Sequence, residues 1–341
     1  MIGPGTSPNL SAPNRRRSAT SALLLACPGV ILLHSLVTAR EFWISDVIAN
    51  LAPQLAAAML PLLALALARR RPLPALVLAA AILTTAWMLV GARAPRETGP
   101  PAPGVLRILH CNVLSSNPRI DDAEAFVLGG DHDIVTLMEL PRDIGRALRA
   151  GGASERYPHL LTSGPIKGYS GWVTILSRWP LEPWSDGSLT PGNPRPDDAT
   201  GTMCAVARTP LGPVGIVAVH ASSPWAPARW RIGNIVARRA ASIASEMRAR
   251  GLPVVIIGDL NATPTGARSR ALARDASLSR SKPWHTPSGT YPAWLPWPLR
   301  VAIDDALVSD AFRVRSWRTL KCPGSDHSAL EIELVVSAPP G

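Results

Sequence analysis

Lysine is nearly absent from this chain of 341 residues: of 35 basic residues only Lys167, Lys282 and Lys321 are Lys, and the rest are Arg. With so many Ala and Pro, that bias matches genome composition better than selection for nucleic-acid contact. A basic face that attracts an anionic substrate stays compatible with it. Also missing is any stacked Arg/aromatic run of the kind that would argue for DNA or RNA binding by itself. Cysteine is sparse as well, with four residues: Cys27, Cys111, Cys204 and Cys322. They form no CxxC pair and no zinc spacing, which excludes a zinc ribbon and a thioredoxin-type site. Cys27 lies in an apolar run, and the remaining three are an odd number for a disulfide framework. Buried free thiols are expected, with a single Cys–Cys pair left open.

What is present divides near residue 104. The first part carries nine Arg against three acidic residues, the second 26 Lys/Arg against 21 acidic residues, so the net charge of +11 is not one basic tail. Residues 1–17 are Pro/Ser/Asn-rich up to Asn14 and end in Arg15-Arg16-Arg17; they read as a disordered cytoplasmic N-terminus. Three apolar runs follow at 18–39, 47–68 and 72–91, each about the 20 residues that span a bilayer core. Pro28, Pro53, Pro61 and Pro74 are tolerated better in membrane helices than in soluble ones. Arg15-Arg16-Arg17 and Arg69-Arg70-Arg71 set the cytoplasmic side, so everything after residue 91 is expected outside. Two other readings stand beside this one. The first run could be a signal peptide, cleaved after Val37-Thr38-Ala39, which leaves the topology of the remainder unchanged. Or the runs could be core helices of a soluble protein. Residues 92–104 read as an extended Pro-rich tether.

From residue 105 onward the composition is globular and long enough to bury a core. Apolar runs at 105–111, 134–138, 171–177, 202–208, 214–219, 254–258, 301–308, 311–317 and 329–336 read as strands, and 121–130, 140–150, 229–250 and 267–273 as helices. Residues 183–200 form a Pro/Gly/Asp-rich loop. Two halves of mixed strands and helices suggest two packed sheets with helices outside, an α/β architecture. Polar residues end or follow the strands: Asn112, Glu139, His220, Asp259, Asn261, Asp304, then Ser325-Asp326-His327. Side chains at strand ends converge on one sheet edge, the usual place for a site in such folds. Asp121, Asp122 and Asp133 read as helix-start and turn residues, and Arg178 as structural. His110 and Cys111 are left outside the site, because alternation along a strand sends neighbouring side chains to opposite faces.

In this order, Asn112, Glu139 in DIVTLMEL, ILSRWPL at 175–181, His220, GDLNAT at 258–263, Asp304 in AIDDALVS and SDH at 325–327 resemble the endonuclease/exonuclease/phosphatase superfamily, whose fold is DNase I-like. The match runs over nearly all of residues 105–336. The resemblance implies a four-layer α-β-β-α sandwich and a divalent-metal phosphoester hydrolase using Mg²⁺, with Mn²⁺ as a substitute. It implies that Glu139, Asn112 and Asp326 hold the metal. Asp259 would orient or deprotonate the attacking water. Asn261 and His220 would bind phosphoryl oxygens. His327 would be the general base or a transition-state stabiliser, oriented by Asp304 or Asp326. A Mg²⁺ site needs hard oxygen ligands and few carboxylates, and a phosphoryl transition state gains most from positioning and charge neutralisation. The chain departs from the family pattern at Asp305, at Ala218-Val219 and at Ser328-Ala329. It has no clear counterpart of the catalytic Tyr of abasic-site endonucleases; Tyr169 is nearest.

The substrate expectation rests on Trp284, Trp294, Leu295 and Trp297 in a Pro-rich loop just before Asp304, since Trp favours the membrane–water interface. Ordinary packing of Trp on Pro is the plain alternative. The layout also resembles a membrane-anchored bacterial subgroup associated with teicoplanin-type antibiotic resistance, which implies a polyprenyl pyrophosphate of the cell-wall lipid cycle as substrate. The leading expectation is therefore a multi-pass cell-membrane enzyme whose extracytoplasmic domain hydrolyses a lipid-linked phosphate. Its alternatives are an extracytoplasmic metal-dependent nuclease, with nucleic acid as partner, and an inactive membrane-anchored binding module.

Overall fold

The computed structural model describes residues 12–91, 93–98, 104–163, 169–184, 201–284, 286 and 289–336. Two compact units are present, Met1–Met88 and Leu89–Gly341. The first is helical: α1 (Ala12–Thr38), α2 (Trp43–Asn50), α3 (Ala52–Ala68) and α4 (Pro72–Val90). Thr20–Thr38 and Pro72–Val90 are each long and apolar enough to cross a membrane, and α2 with α3 makes a third crossing if the bent pair is one span. The pair bends by 70°. Pro53 in the first turn of α3 has no N–H to continue the helix of α2, which accounts for the break. The second run thus starts earlier than the sequence suggests, at Trp43, and is two helices. The N-terminal segment expected to be disordered is helical from Ala12, and residues 1–11 lie outside the described residues.

The second unit contains β1 (Leu106–Asn112), α5 (Ile120–Gly129), β2 (Ile134–Pro141), α6 (Arg142–Ala150), α7 (Ala153–Arg156), β3 (His159–Thr162), β4 (Tyr169–Ser177), β5 (Leu181–Pro183), β6 (Thr202–Thr209) and β7 (Gly212–His220). These are followed by α8 (Pro227–Ala249), β8 (Val254–Asp259), α9 (Ala267–Asp275), β9 (Ser279–Arg280), β10 (Asp304–Val308), β11 (Phe312–Lys321) and β12 (Ser328–Val336). One sheet has the order β11-β12-β1-β2-β4-β3, the other β5-β6-β7-β8-β10-β9. The four-layer sandwich follows from how the strands alternate. Ile108, Ile134, Met138 and Ile332 of the first sheet share a core with Ile216, Ala218, Val255 and Ile257 of the second. The intervening residues point outward: Leu109, Val135 and Leu137 pack on α5 and α6, while Val217, Val254 and Ile256 pack on α8 and α9. Strands apolar on both faces are what two covered sheets require.

Two expectations are corrected here. Cys111 and Cys322 are not thiols but form a disulfide across 211 residues, while Cys27 and Cys204 are in no disulfide. Counting three cysteines as an odd set hid the pair, because which two meet is a property of the fold. The tether is also not simply extended chain. Arg93 bridges to Arg280 and Arg96 to Val314, Ala94 enters the inter-sheet core, and Glu97 pairs with Arg315 through two contacts of 2.6 and 2.9 Å. Residues 93–98 therefore cover the outer strands β9 and β11, whose unpaired edges would otherwise be open to other chains. They attach level with Leu307 and Leu334, at the ends of β10 and β12 away from Asp304 and Ser328. Residues 99–103 of the tether and 185–200 of the Pro/Gly-rich loop lie outside the described residues.

Candidate active site

Strand register assembles the site. β7 runs parallel to β8 with His220 opposite Asp259, and β10 runs antiparallel to β8 with Asp304 opposite Asp259. In the other sheet Asn112 at the end of β1 lies opposite Met138, next to Glu139. Gly258 is required just before Asp259: at φ +155° a Cβ there would stand 1.9 Å from the Val219 carbonyl oxygen. Glu139 (φ +53°) and Asn261 (φ +46°) both take left-handed backbone, a strained state for Glu that marks functional positions. His327 enters from the β11–β12 loop. The Cys111–Cys322 disulfide and the bonds from Ser325 Oγ to the Asn112 carbonyl (2.6 Å) and from Asn117 Nδ2 to the Pro323 carbonyl (2.8 Å) tie that loop to β1 and the loop after it.

The side chains meet in two groups. In the first, the Asn112 amide donates to Glu139 Oε1 (3.1 Å) and to Asp259 Oδ2 (3.2 Å). His220 Nε2 lies 3.6 and 3.7 Å from the same two oxygens. Asn261 fixes Asp259 through its backbone N–H (2.9 Å) and its amide (3.1 Å). In the second, His327 Nδ1 bonds Asp304 Oδ2 at 2.9 Å and His110 Nε2 bonds Asp304 Oδ1 at 3.0 Å. His327 Nε2 faces Asp259 Oδ2 at 3.9 Å, too long for a hydrogen bond but the width one bridging atom spans. Trp172 stacks on His220 with ring centres 4.5 Å apart, and Tyr291 lies 4.9 Å from the His327 ring.

Charge is distributed unevenly. Burial, then the neighbouring Asp304, pushes the Asp259 carboxyl up to about 7. Burial also opposes ionisation of Asp304, but His327 and His110 outweigh it and hold this carboxyl well below the usual range. Burial disfavours charge on His327, yet Asp304, by charge and by hydrogen bond, raises the imidazole to about 10. His220 is driven down to about 4 by burial. Burial acts to raise Glu139, and His220, the Asn112 amide and Ser115 bring it below its ordinary value. At neutral pH His327 is thus a cation paired with Asp304, and His220 is neutral.

Among the described residues every ion pair of Glu139, Asp259 and Asp304 is with a histidine, and no Arg or Lys pairs with them. Two carboxylates aimed at one point beside an amide are the oxygen-rich donor set of a hard divalent cation. Asp259, Asp304 and His327 also offer ligand atoms within 4.8 Å of one another. Both Asp304 oxygens, however, are engaged by His110 and His327, which leaves Glu139 and Asp259 as the available pair. Asn112, Glu139, His220, Asp259, Asn261, Asp304 and His327 therefore come together as the sequence predicts. Asp326 makes no hydrogen bond to them among the described contacts, though its charge acts on His327. Its Oδ1 is buried without a hydrogen-bond partner, and the carboxylate orienting His327 is Asp304. The Tyr169 side chain lies outside the described residues, and Tyr291 is the tyrosine beside His327. His110 escaped the sequence reading through a misapplied rule: it is two residues before Asn112, so alternation puts both on the same inter-sheet face.

A family model described as the Endonuclease/Exonuclease/phosphatase family matches residues 109–327. The chain belongs to this family. Solved structures agree on the fold. An endonuclease/exonuclease/phosphatase from Beutenbergia cavernae superposes with a TM-score of 0.50 at 18% identity, covering 68% of this chain and 72% of that one. A family protein from Bacteroides thetaiotaomicron gives 0.51 at 18%, covering 70% and 100%. The human Nocturnin catalytic domain, solved with a bound sulfate anion, gives 0.51 at 15%, covering 72% and 100%. No curated protein sequence matches the chain significantly. Members of the family are typically metal-dependent phosphoester hydrolases, and the buried acidic and histidine cluster fits that chemistry.

Proposed function

We propose that this protein is a membrane-anchored, Mg²⁺-dependent phosphoester hydrolase whose extracytoplasmic site acts on a lipid-linked phosphate or pyrophosphate. The observation that carries the reaction class is the convergence of Glu139 and Asp259, paired with no Arg or Lys among the described residues, beside the buried Asp304–His327 pair. Glu139 and Asp259 would hold the cation, with Asn112 spacing them. When bound, the cation supplies neutralisation of developing phosphoryl charge. In the cation-free protein burial holds the Asp259 carboxyl up at about 7; with the cation bound it would be ionised and would orient the attacking water. His327, kept cationic by Asp304, donates to a phosphoryl oxygen and stabilises the charge that builds there. Neutral His220 would bind a remaining oxygen, while the Asn261 amide, which donates to the Ala221 carbonyl and to Asp259, holds Asp259 in place.

The lipid reading is supported by aromatic side chains around the same end of the sandwich. Trp225, five residues after His220, is 75% exposed, and Trp294, beside the Asp326 loop, is 76% exposed; the Ala293 N–H bonds the Asp326 carbonyl at 2.7 Å. Trp297 and Leu299 are exposed as well. Exposed Trp is the residue of membrane interfaces. The outside location is supported by the two Arg triplets and by the Cys111–Cys322 disulfide, which persists in oxidising compartments. Undecaprenyl pyrophosphate offered to the full-length protein in detergent with Mg²⁺ tests this reading. Phosphate release is expected. Nicking of plasmid DNA without phosphate release would move the assignment to a nuclease, and neither activity would leave a binding module.

A further inference from the structure

We propose that His110 is a positioning residue of this site, and that Thr136, His110, Asp304 and His327 act as one hydrogen-bonded line. The inference rests on the hydrolase reading above. His110 and Asp304 are wholly buried, and the line runs between the sheets: Thr136 on β2, His110 on β1, Asp304 on β10, His327 on the loop before β12. The Thr136 Oγ1 to His110 Nδ1 distance is 3.2 Å, His110 Nε2 to Asp304 Oδ1 is 3.0 Å, and Asp304 Oδ2 to His327 Nδ1 is 2.9 Å.

The donor and acceptor inventory fixes the direction at Asp304. An ionised carboxylate only accepts, so His110 Nε2 must carry a proton toward Asp304. On the other side of the ring Nδ1 meets the Thr136 hydroxyl, which also lies 3.4 Å from the Leu109 carbonyl. Asp304 is held from the far side by His110 and presents its second oxygen to His327. Without His110 the carboxylate would keep His327 on Oδ2 but, among the described residues, nothing on Oδ1; the Thr290 hydroxyl accepts only from the Asp304 backbone N–H. The Asp304 plane, and with it the His327 ring, would be free to turn. His110 touches neither the metal carboxylates nor the open side of the site. It acts through Asp304 and His327.

The test is a kinetic cycle on the full-length protein in detergent with Mg²⁺ and bis(p-nitrophenyl) phosphate. His110→Phe keeps the ring and removes the donor. It is expected to lower kcat about 10- to 100-fold with KM little changed, the usual cost of losing an outer-layer hydrogen-bond partner. His110→Gln places an amide donor near the former Nε2 and should recover most of the loss. Thr136→Val should cost less than His110→Phe. In a His327→Ala background, His110→Phe should add no further loss, because residues that act as one unit are non-additive. An equal further loss in that background would reduce His110 to general packing and overturn the proposal. Hydrogen–deuterium exchange at the His327 ring carbon, read by mass spectrometry, tests the line without turnover. His110→Phe should change its rate several-fold and His110→Gln should not. An unchanged rate in His110→Phe overturns the proposal even if no substrate is found, whereas an inactive wild type with the expected exchange change overturns only the hydrolase reading.

Discussion

The Cys111–Cys322 disulfide closes a loop of 211 residues, most of the second unit. In the chain-entropy model a cross-link over that separation restricts the unfolded chain by about 5 kcal/mol at 25 °C. Measured values usually fall below the model, so a loss of about 3–5 kcal/mol is expected on removal. Cys111→Ala with Cys322→Ala is the perturbation, and reduction of the wild type is its parallel with no atoms deleted. At a slope of about 3 kcal/mol per molar urea, the unfolding midpoint should fall by roughly 1 to 1.7 M. The His327 loop keeps its Ser325 and Asn117 hydrogen bonds, so turnover should drop less than stability does. Thiol labelling of denatured, unreduced protein taken from cells should find two reactive cysteines, Cys27 and Cys204. Four reactive cysteines together with coincident unfolding curves would refute the reasoning, and with it one support for an outside location.

Other consequences are open to direct checks. Glu139→Gln removes a carboxylate from the proposed metal pair and should weaken Mg²⁺ binding by about 100-fold or more, followed by the Mg²⁺-induced rise in melting temperature. Cation binding at Asp259 must displace the proton that burial keeps there, so Mg²⁺ affinity should climb with pH until about 7 and then level off, as calorimetry in two buffers would register. The Asp304–His327 pair contributes stability through a His pKa raised from 6.5 to about 10. That contribution is complete below pH 6.5, declines as pH rises and is gone above about 10. In chelator, the stability gap between wild type and Asp304→Asn should therefore narrow from pH 6.5 upward; a gap that widens would contradict the sign. Replacing Trp225, Trp294 and Trp297 with Ser should depress hydrolysis of a vesicle-borne phosphoester and spare a soluble one.

Much of the site was legible because its residues sit at strand ends, where an apolar run stops at Asn112, His220 or Asp259 and register then decides the neighbours. The layers followed from strands apolar on both faces. Four features were hidden, each for a physical reason. Cysteine spacing says nothing about Cys111 meeting Cys322, since the two are brought together by the β11–β12 hairpin pairing with β1. Pro-rich composition suggested a plain tether, whereas backbone bonds to β9 and β11 can be made by any sequence with free N–H groups, and Glu97 and Arg315 pair only because the edge strands bring them close. His110 was discarded by comparing it with its neighbour Cys111; its true companion on the strand face is Asn112, two residues on. Asp326 and Asp304 could not be ranked as the partner of His327 until β10 was placed against β8.

The central claim is metal-dependent hydrolysis of a lipid-linked phosphate by the Glu139–Asp259 and Asp304–His327 groups. Phosphate release from undecaprenyl pyrophosphate by the full-length protein, with His327→Ala alongside, measures it most directly. Release by the wild type that needs Mg²⁺, stops with chelator and is lost in His327→Ala is the predicted result. No release at any Mg²⁺ concentration, or equal release by wild type and variant, would contradict it.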